Sequence, residues 1–199
     1  MSVQKSNKVK LEEINNGMTV IFVVDMVNGF AKKGALSSPR IKKLINPIKK
    51  FLEKANLSRH IFVNDNHEHD ALEFVTYPPH CHTDEEAAIV DELLPFAKEV
   101  VHKNSTNGFF KINQYCIKEQ RTVMQHNVNF VIIGCCTDIC VLQLALTLKT
   151  YFNEIDVNKN IYVIENLVNT FDTPEHNGDE FHNFALELMR NAGIRVVTI

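Results

Sequence analysis

Six short apolar runs, each rich in β-branched residues, constrain this chain more than any other feature: Met18–Val24, His60–Val63, Glu99–His102, Asn129–Ile133, Asn160–Ile164 and Ile194–Ile199. Most of them lack the polar alternation of a strand with one wet face. That pattern suits strands buried on both sides in a parallel sheet. Helical patterns lie between them. Over Pro39–Lys54, Ile41, Leu44, Ile45, Ile48, Phe51 and Leu52 share one stripe. Pro39 suits a first turn, and Pro47 predicts a kink. Further helices are predicted over Glu85–Leu94, Gln114–Gln125 and Cys140–Tyr151. The last, Asp179–Ala192, carries Phe181, Phe184, Ala185, Leu188 and Met189 on one stripe and meets Gly193 as a stop. Phe152–Lys159 and Asn169–Gly178 read as loops, and the polar residues 1–17 as a flexible N-terminal arm.

Strands alternating with helices predict an α/β fold: a single doubly wound domain with a six-stranded parallel sheet flanked by helices. With 199 residues, 45% of them hydrophobic, the chain can bury one core without a disulfide or structural metal. The net charge is −3 with both signs interspersed, which argues against a nucleic-acid partner. No apolar run approaches the length of a membrane span. Five cysteines, an odd number, with no secretory signal predict free thiols in a reducing cytoplasm.

In a parallel sheet, ligands bind at the carboxyl ends of the strands. Residues Gly134-Cys-Cys-Thr-Asp-Ile-Cys140-Val141 join a strand to a helix. Cys140 would thus feel the positive end of a helix dipole, which can lower a thiol pKa and expose a thiolate nucleophile. An inert buried thiol is the alternative. Asp25 ends the first strand and Lys103 follows the third. Alone, each has a plain reading, as a helix cap and as a solvated charge. Together, acid, lysine and cysteine supply a proton shuttle, a cation and a nucleophile, the parts of acyl transfer. A fourth cluster follows the second strand: Asp65-Asn66-His67, then Glu73, then Tyr77-Pro78-Pro79-His80. Two imidazoles and two carboxylates suit one divalent transition metal, Zn, Mn or Fe. His69 and His82 lie close by in sequence, so spacing alone does not choose the ligands. Cys81, Cys116 and Cys135 form no Cys-x-x-Cys pair that would suggest a redox site.

These residues resemble the isochorismatase-like cysteine hydrolases, and within them the nicotinamidases, from about Met18 to the C-terminus. Val23-Val24-Asp25-Met-Val-Asn-Gly-Phe30, Lys103 and the Gly134–Val141 segment carry the resemblance. It implies one isochorismatase-like hydrolase domain with a catalytic triad of Asp25, Lys103 and Cys140. It also implies a cis peptide between Cys135 and Cys136, and an oxyanion hole built from the N–H groups of Cys136 and Cys140. The nicotinamidase pattern maps a metal set onto Asp65, His67, Glu73 and His80. Tyr77 stands where many members have tryptophan, and the stretch after Cys81 lacks their Gly-Thr-x-Gly. Phe30, Tyr77 and Phe110 are candidates to sandwich a substrate ring. The implied activity is hydrolysis of a small carboxamide, nicotinamide to nicotinate and ammonia, as in NAD salvage, by a cytoplasmic homo-oligomer. Another amidohydrolase acting on a carbamoyl or ureido substrate, and a non-catalytic metal- or thiol-sensing protein, are the alternatives.

Overall fold

The computed structural model describes residues 6–15, 18–118 and 128–199. Its frame is a parallel sheet of seven strands: β1 (Asn7–Lys8), β2 (Thr19–Val24), β3 (Arg59–Asp65), β4 (Glu99–Lys103), β5 (Asn129–Cys135), β6 (Asn160–Asn169) and β7 (Arg195–Thr198). Their order is β1-β7-β6-β5-β2-β3-β4, and every pairing is parallel. The seventh strand, absent from the sequence expectation of six, is β1. At two polar residues it is too short for a hydrophobic pattern, yet Asn7 and Lys8 pair with Val197 and Thr198. This part of the segment expected as an arm is therefore docked. The helical turn α1 (Leu11–Ile14) behind it buries Ile14.

The central strands lack polar alternation because both faces are covered. On β2, Ile21 and Val23 enter one core while Phe22 and Val24 enter the other. Val131 and Ile133 of β5 split from Phe130 and Ile132 in the same way. The first core is closed by α2 (Asn28–Ala31), α3 (Pro39–Lys42) and α4 (Ile45–Lys54) through Phe30, Ile41, Ile48, Phe51 and Leu52. The second is closed by α6 (Phe109–Lys118), α7 (Leu142–Glu154) and α8 (Gly178–Asn191) through Phe109, Leu144, Leu148, Ala185 and Met189.

Several predicted elements differ in detail. The helix predicted over Pro39–Lys54 is two pieces, α3 and α4. Pro47 has no N–H to give the carbonyl four residues back, and its ring crowds that carbonyl, so the break falls at Lys43–Leu44. The helix predicted over Glu85–Leu94 shrinks to α5 (Asp84–Ala87), capped by the Thr83 hydroxyl. Beyond it the chain turns extended at Ala88. Asn28 N–H donates to Ala88 O at 2.9 Å and Val90 N–H to Met26 O at 3.2 Å. Burying Val90 and Leu93 in the first core outweighs local helix propensity here. Helix α6 starts at Phe109, ahead of the expected Gln114, and residues 119–125 of that expected helix lie outside the described residues. Strand β6 runs five residues past Ile164, with a register shift opposite Ile132 and Gly134. That extension carries Asn169 to the carboxyl edge.

Candidate active site

The order β5-β2-β3-β4 brings four strand ends side by side at one edge. Register sets the neighbours: Val24 pairs with Gly134 and with Val63, and Asp65 pairs with Lys103. Asp25, directly after β2, leaves the strand in the left-handed region at φ 51°, a conformation that aspartate tolerates better than most residues. Gly134 must be glycine. Its φ is +111°, and a Cβ would sit 2.1 Å from the Val24 carbonyl oxygen.

The Lys103 ammonium is the hub. It lies 2.9 Å from Asp25 Oδ2, 2.5 Å from Asp65 Oδ1 and 3.7 Å from Cys140 Sγ, and all four residues are buried. Asp65 N–H donates to Asp25 Oδ1 at 2.7 Å, so the first two strand ends are also tied directly. Burial disfavours the lysine charge, but Asp25 and Asp65 outweigh it and hold the ammonium well above its usual pKa. Burial, then the charge of Asp65, push the Asp25 carboxyl up to about 6 against the pull of Lys103. Asp65 goes the other way. Burial raises its pKa, but the charge of Lys103, helped by the His67 and His80 rings beside it, holds it far below the usual carboxylate range.

Cys140 corrects one expectation. It does not open a regular helix but sits in a π turn, Thr137–Val141, ahead of α7, and the peptide between Cys135 and Cys136 is cis. Burial pushes its thiol well above the ordinary range, with Lys103 opposing. Its resting form is a thiol, beside the Asp25 carboxyl, whose own pKa burial raises.

Beside this triad, one ligand atom from each of Asp65, His67 and His80 falls within 4.8 Å of the others. His67 Nε2 is 3.5 Å from Asp65 Oδ1 and 3.3 Å from Glu73 Oε2, and His80 Nε2 is 3.8 Å from Asp65 Oδ2. The far nitrogens are anchored: His67 Nδ1 on Asn104 Oδ1 at 3.2 Å and His80 Nδ1 on the Pro78 carbonyl at 2.8 Å. Both partners are acceptors, so each Nδ1 carries the proton and each Nε2 keeps a lone pair toward Asp65, the usual support for a metal-binding imidazole. His67 Nε2 and Glu73 Oε2 are buried without a hydrogen-bond partner. Donor chemistry and orphaned atoms thus fit a divalent transition metal. Asp25, Asp65 and Cys140 also converge, but the Lys103 ammonium already contacts all three. Among the described residues, His69 and His82 join neither cluster; their rings meet edge-on at 6.1 Å.

A cleft of about 460 Å³ opens over Cys136, Cys140, Asp65 and His80. Phe30 and Tyr77, expected to flank a substrate, line it. Phe110 does not. It is 68% exposed, because its neighbour Phe109 takes the inward position on α6 and successive helical residues diverge by about 100°. Leu36, Thr106, Ile139 and Phe171 complete the lining and were missed in the sequence. Phe171 follows the unforeseen extension of β6, and Thr106 is three residues past the lysine that marked its strand end.

Residues 19–199 match the isochorismatase domain model. The chain belongs to the isochorismatase family. Its architecture recurs in solved structures. N-carbamoylsarcosine amidase from Thermoplasma acidophilum is 27% identical, with a TM-score of 0.70 over 90% of this chain and 95% of that one. A pyrazinamidase/nicotinamidase from Streptococcus mutans is 22% identical, with a TM-score of 0.73 over 90% and 99%. A pyrazinamidase of Pyrococcus horikoshii, in complex with zinc, is 23% identical, with a TM-score of 0.71 over 92% and 99%. A search of curated proteins finds no match. Among the described residues, no helix is long and apolar enough to cross a membrane.

Proposed function

We propose that this isochorismatase-family protein hydrolyses a small aromatic carboxamide, nicotinamide to nicotinate and ammonia, through a thioester on Cys140. The observation that carries the reading is the Lys103 ammonium in contact with Asp25 and Cys140, where Cys140 lines a cleft together with Asp65 and His80. Asp25 takes the Cys140 proton, and Lys103 compensates the negative charge as the thiolate forms. Sulfur attacks the amide carbonyl. The N–H groups of Cys136 and Cys140 receive the oxyanion; one such donor is worth about 10²–10³ in rate. Protonated Asp25 passes its proton to the departing amine, which leaves as ammonia, and the acyl group stays on sulfur. Asp25 then takes a proton from water, whose oxygen attacks the thioester and releases the acid and the thiol. A metal held by Asp65, His67 and His80, with Glu73 beside them, would supply a Lewis-acid anchor for a ring nitrogen or its water ligand. Phe30 and Tyr77 offer ring faces to the same substrate.

The likeness to N-carbamoylsarcosine amidase supports a second reading, a carbamoyl substrate. Such a substrate brings a carboxylate of its own, which calls for a cation. Among the described residues, the lining includes neither lysine nor arginine, and Lys103 is already shared by two carboxylates. Ammonia release from nicotinamide, pyrazinamide and N-carbamoylsarcosine separates the two. The aromatic amides are expected to turn over with the higher kcat/KM; faster release from N-carbamoylsarcosine would replace this reading with the second.

A further inference from the structure

The loop that leaves β6, residues 170–177, has no part in the proposed chemistry, yet it holds one wall of the cleft. It is pinned at both ends. Arg40 Nε donates to the Thr170 carbonyl at 3.1 Å, and Arg40 Nη2 donates to Asn169 Oδ1 at 3.0 Å and Asp179 Oδ1 at 2.7 Å. Gly178 N–H donates to Asp172 Oδ1 at 2.7 Å, and Thr173 and His176 exchange backbone hydrogen bonds of 3.0 and 3.1 Å. Between these pins sits a three-ring stack. The His176 ring lies 4.0 Å from Phe171 at an interplanar angle of 16° and 4.0 Å from Phe181 at 22°. Phe171 lines the cleft, and Phe181 belongs to α8. The edge of the same imidazole reaches the nucleophile turn, with His176 Nε2 2.7 Å from Asp138 Oδ2. The preceding residue, Thr137, is moored to α8 as well, its Oγ1 2.9 Å from His182 Nδ1.

We propose that His176 is a positioning residue that fixes Phe171 as a wall of the cleft, in register with the turn that carries Cys140. Two constraints act on one ring. The flanking phenyl faces set its plane, and Asp138 sets its rotation within that plane. A flat group of this thickness is what keeps Phe171 away from Phe181. Without it, Phe171 can fall back toward α8, and the cleft widens at that wall. The Cys140 thiol itself is met by Lys103 and Asp25, which lie on other elements. Loss of His176 should therefore weaken the fit of a ring-bearing substrate more than the chemical step.

The kinetic arm of the test rests on the carboxamide reading. His176→Ala should raise KM for nicotinamide about tenfold and leave kcat within about threefold, the mark of lost uniform binding. His176→Phe keeps a flat slab and should return KM to within about threefold of the wild type. Phe171→Ala should raise KM as His176→Ala does, and the double variant should add nothing, because both changes remove one wall. Unchanged KM in His176→Ala, a kcat loss with KM unchanged, or additive effects in the double variant would overturn the assignment. A second arm needs no substrate. The rate at which N-ethylmaleimide labels Cys140, read by peptide mass, should rise at least about threefold in His176→Ala and stay near wild type in His176→Phe. Equal labelling in all three proteins overturns the proposal even if nicotinamide is turned over. If labelling follows the prediction but no amide is hydrolysed, the carboxamide reading fails and the wall assignment stands.

Discussion

The Lys103 ammonium is buried between two carboxylates, 2.9 Å from Asp25 and 2.5 Å from Asp65. Replacing it with an apolar side chain of similar length leaves two buried carboxylates without their cation. Lys103→Met should therefore cost about 3–5 kcal/mol of stability as well as activity. An unfolding free energy from denaturant titration within about 0.5 kcal/mol of wild type would show that the carboxylates do not depend on it. Asp25, Lys103 and Cys140 were legible in the sequence because each is the polar residue at, or just past, the end of an apolar run. Asp65, His67, Glu73 and His80 were legible as donor chemistry, but spacing alone did not separate them from His69 and His82; only the resemblance did. Only the fold shows which Nε2 atoms face Asp65. The thiol was misread: strand-turn-helix suggested a dipole-lowered pKa, whereas burial dominates and raises it.

Among the elements, the turn between β5 and α7 is the most demanding. Gly134 adopts φ +111° while passing directly over the Val24 carbonyl. Gly134→Ala should destabilise the protein by at least about 3 kcal/mol, read by urea unfolding, and a loss under about 1 kcal/mol would contradict the close approach. The strands with long β-branched runs were readable because burial on both faces leaves a continuous apolar signal. Short pieces were not. Asn7–Lys8 carry no pattern and owe their strand to the free edge of β7. The stretch after Ala87 has helical spacing but gives its backbone hydrogen bonds to the segment around Met26 and Asn28. The run of β6 beyond Ile164 is masked in sequence by Glu165 and Asn166. Missing that extension hid Phe171 and, with it, a wall of the cleft.

At the scale of the molecule, the sheet order matters more than any single helix, because it gathers the carboxyl ends of β5, β2, β3 and β4. The same edge presents the cluster of Asp25, Lys103 and Cys140 and a metal-capable cluster, with Asp65 touching both. A metal bound there stabilises the folded chain by mass action. Chelator treatment of protein loaded with zinc should lower Tm by about 5 °C or more, with recovery on adding zinc back. An unchanged Tm, with no metal in the purified protein, would remove the metal from the account. The most direct test of the whole is ammonia release from nicotinamide by the wild type and Cys140→Ala, with metal content measured on both samples. The account predicts turnover by the wild type, none by Cys140→Ala, and equal metal in the two. Turnover retained in Cys140→Ala would contradict a nucleophilic Cys140.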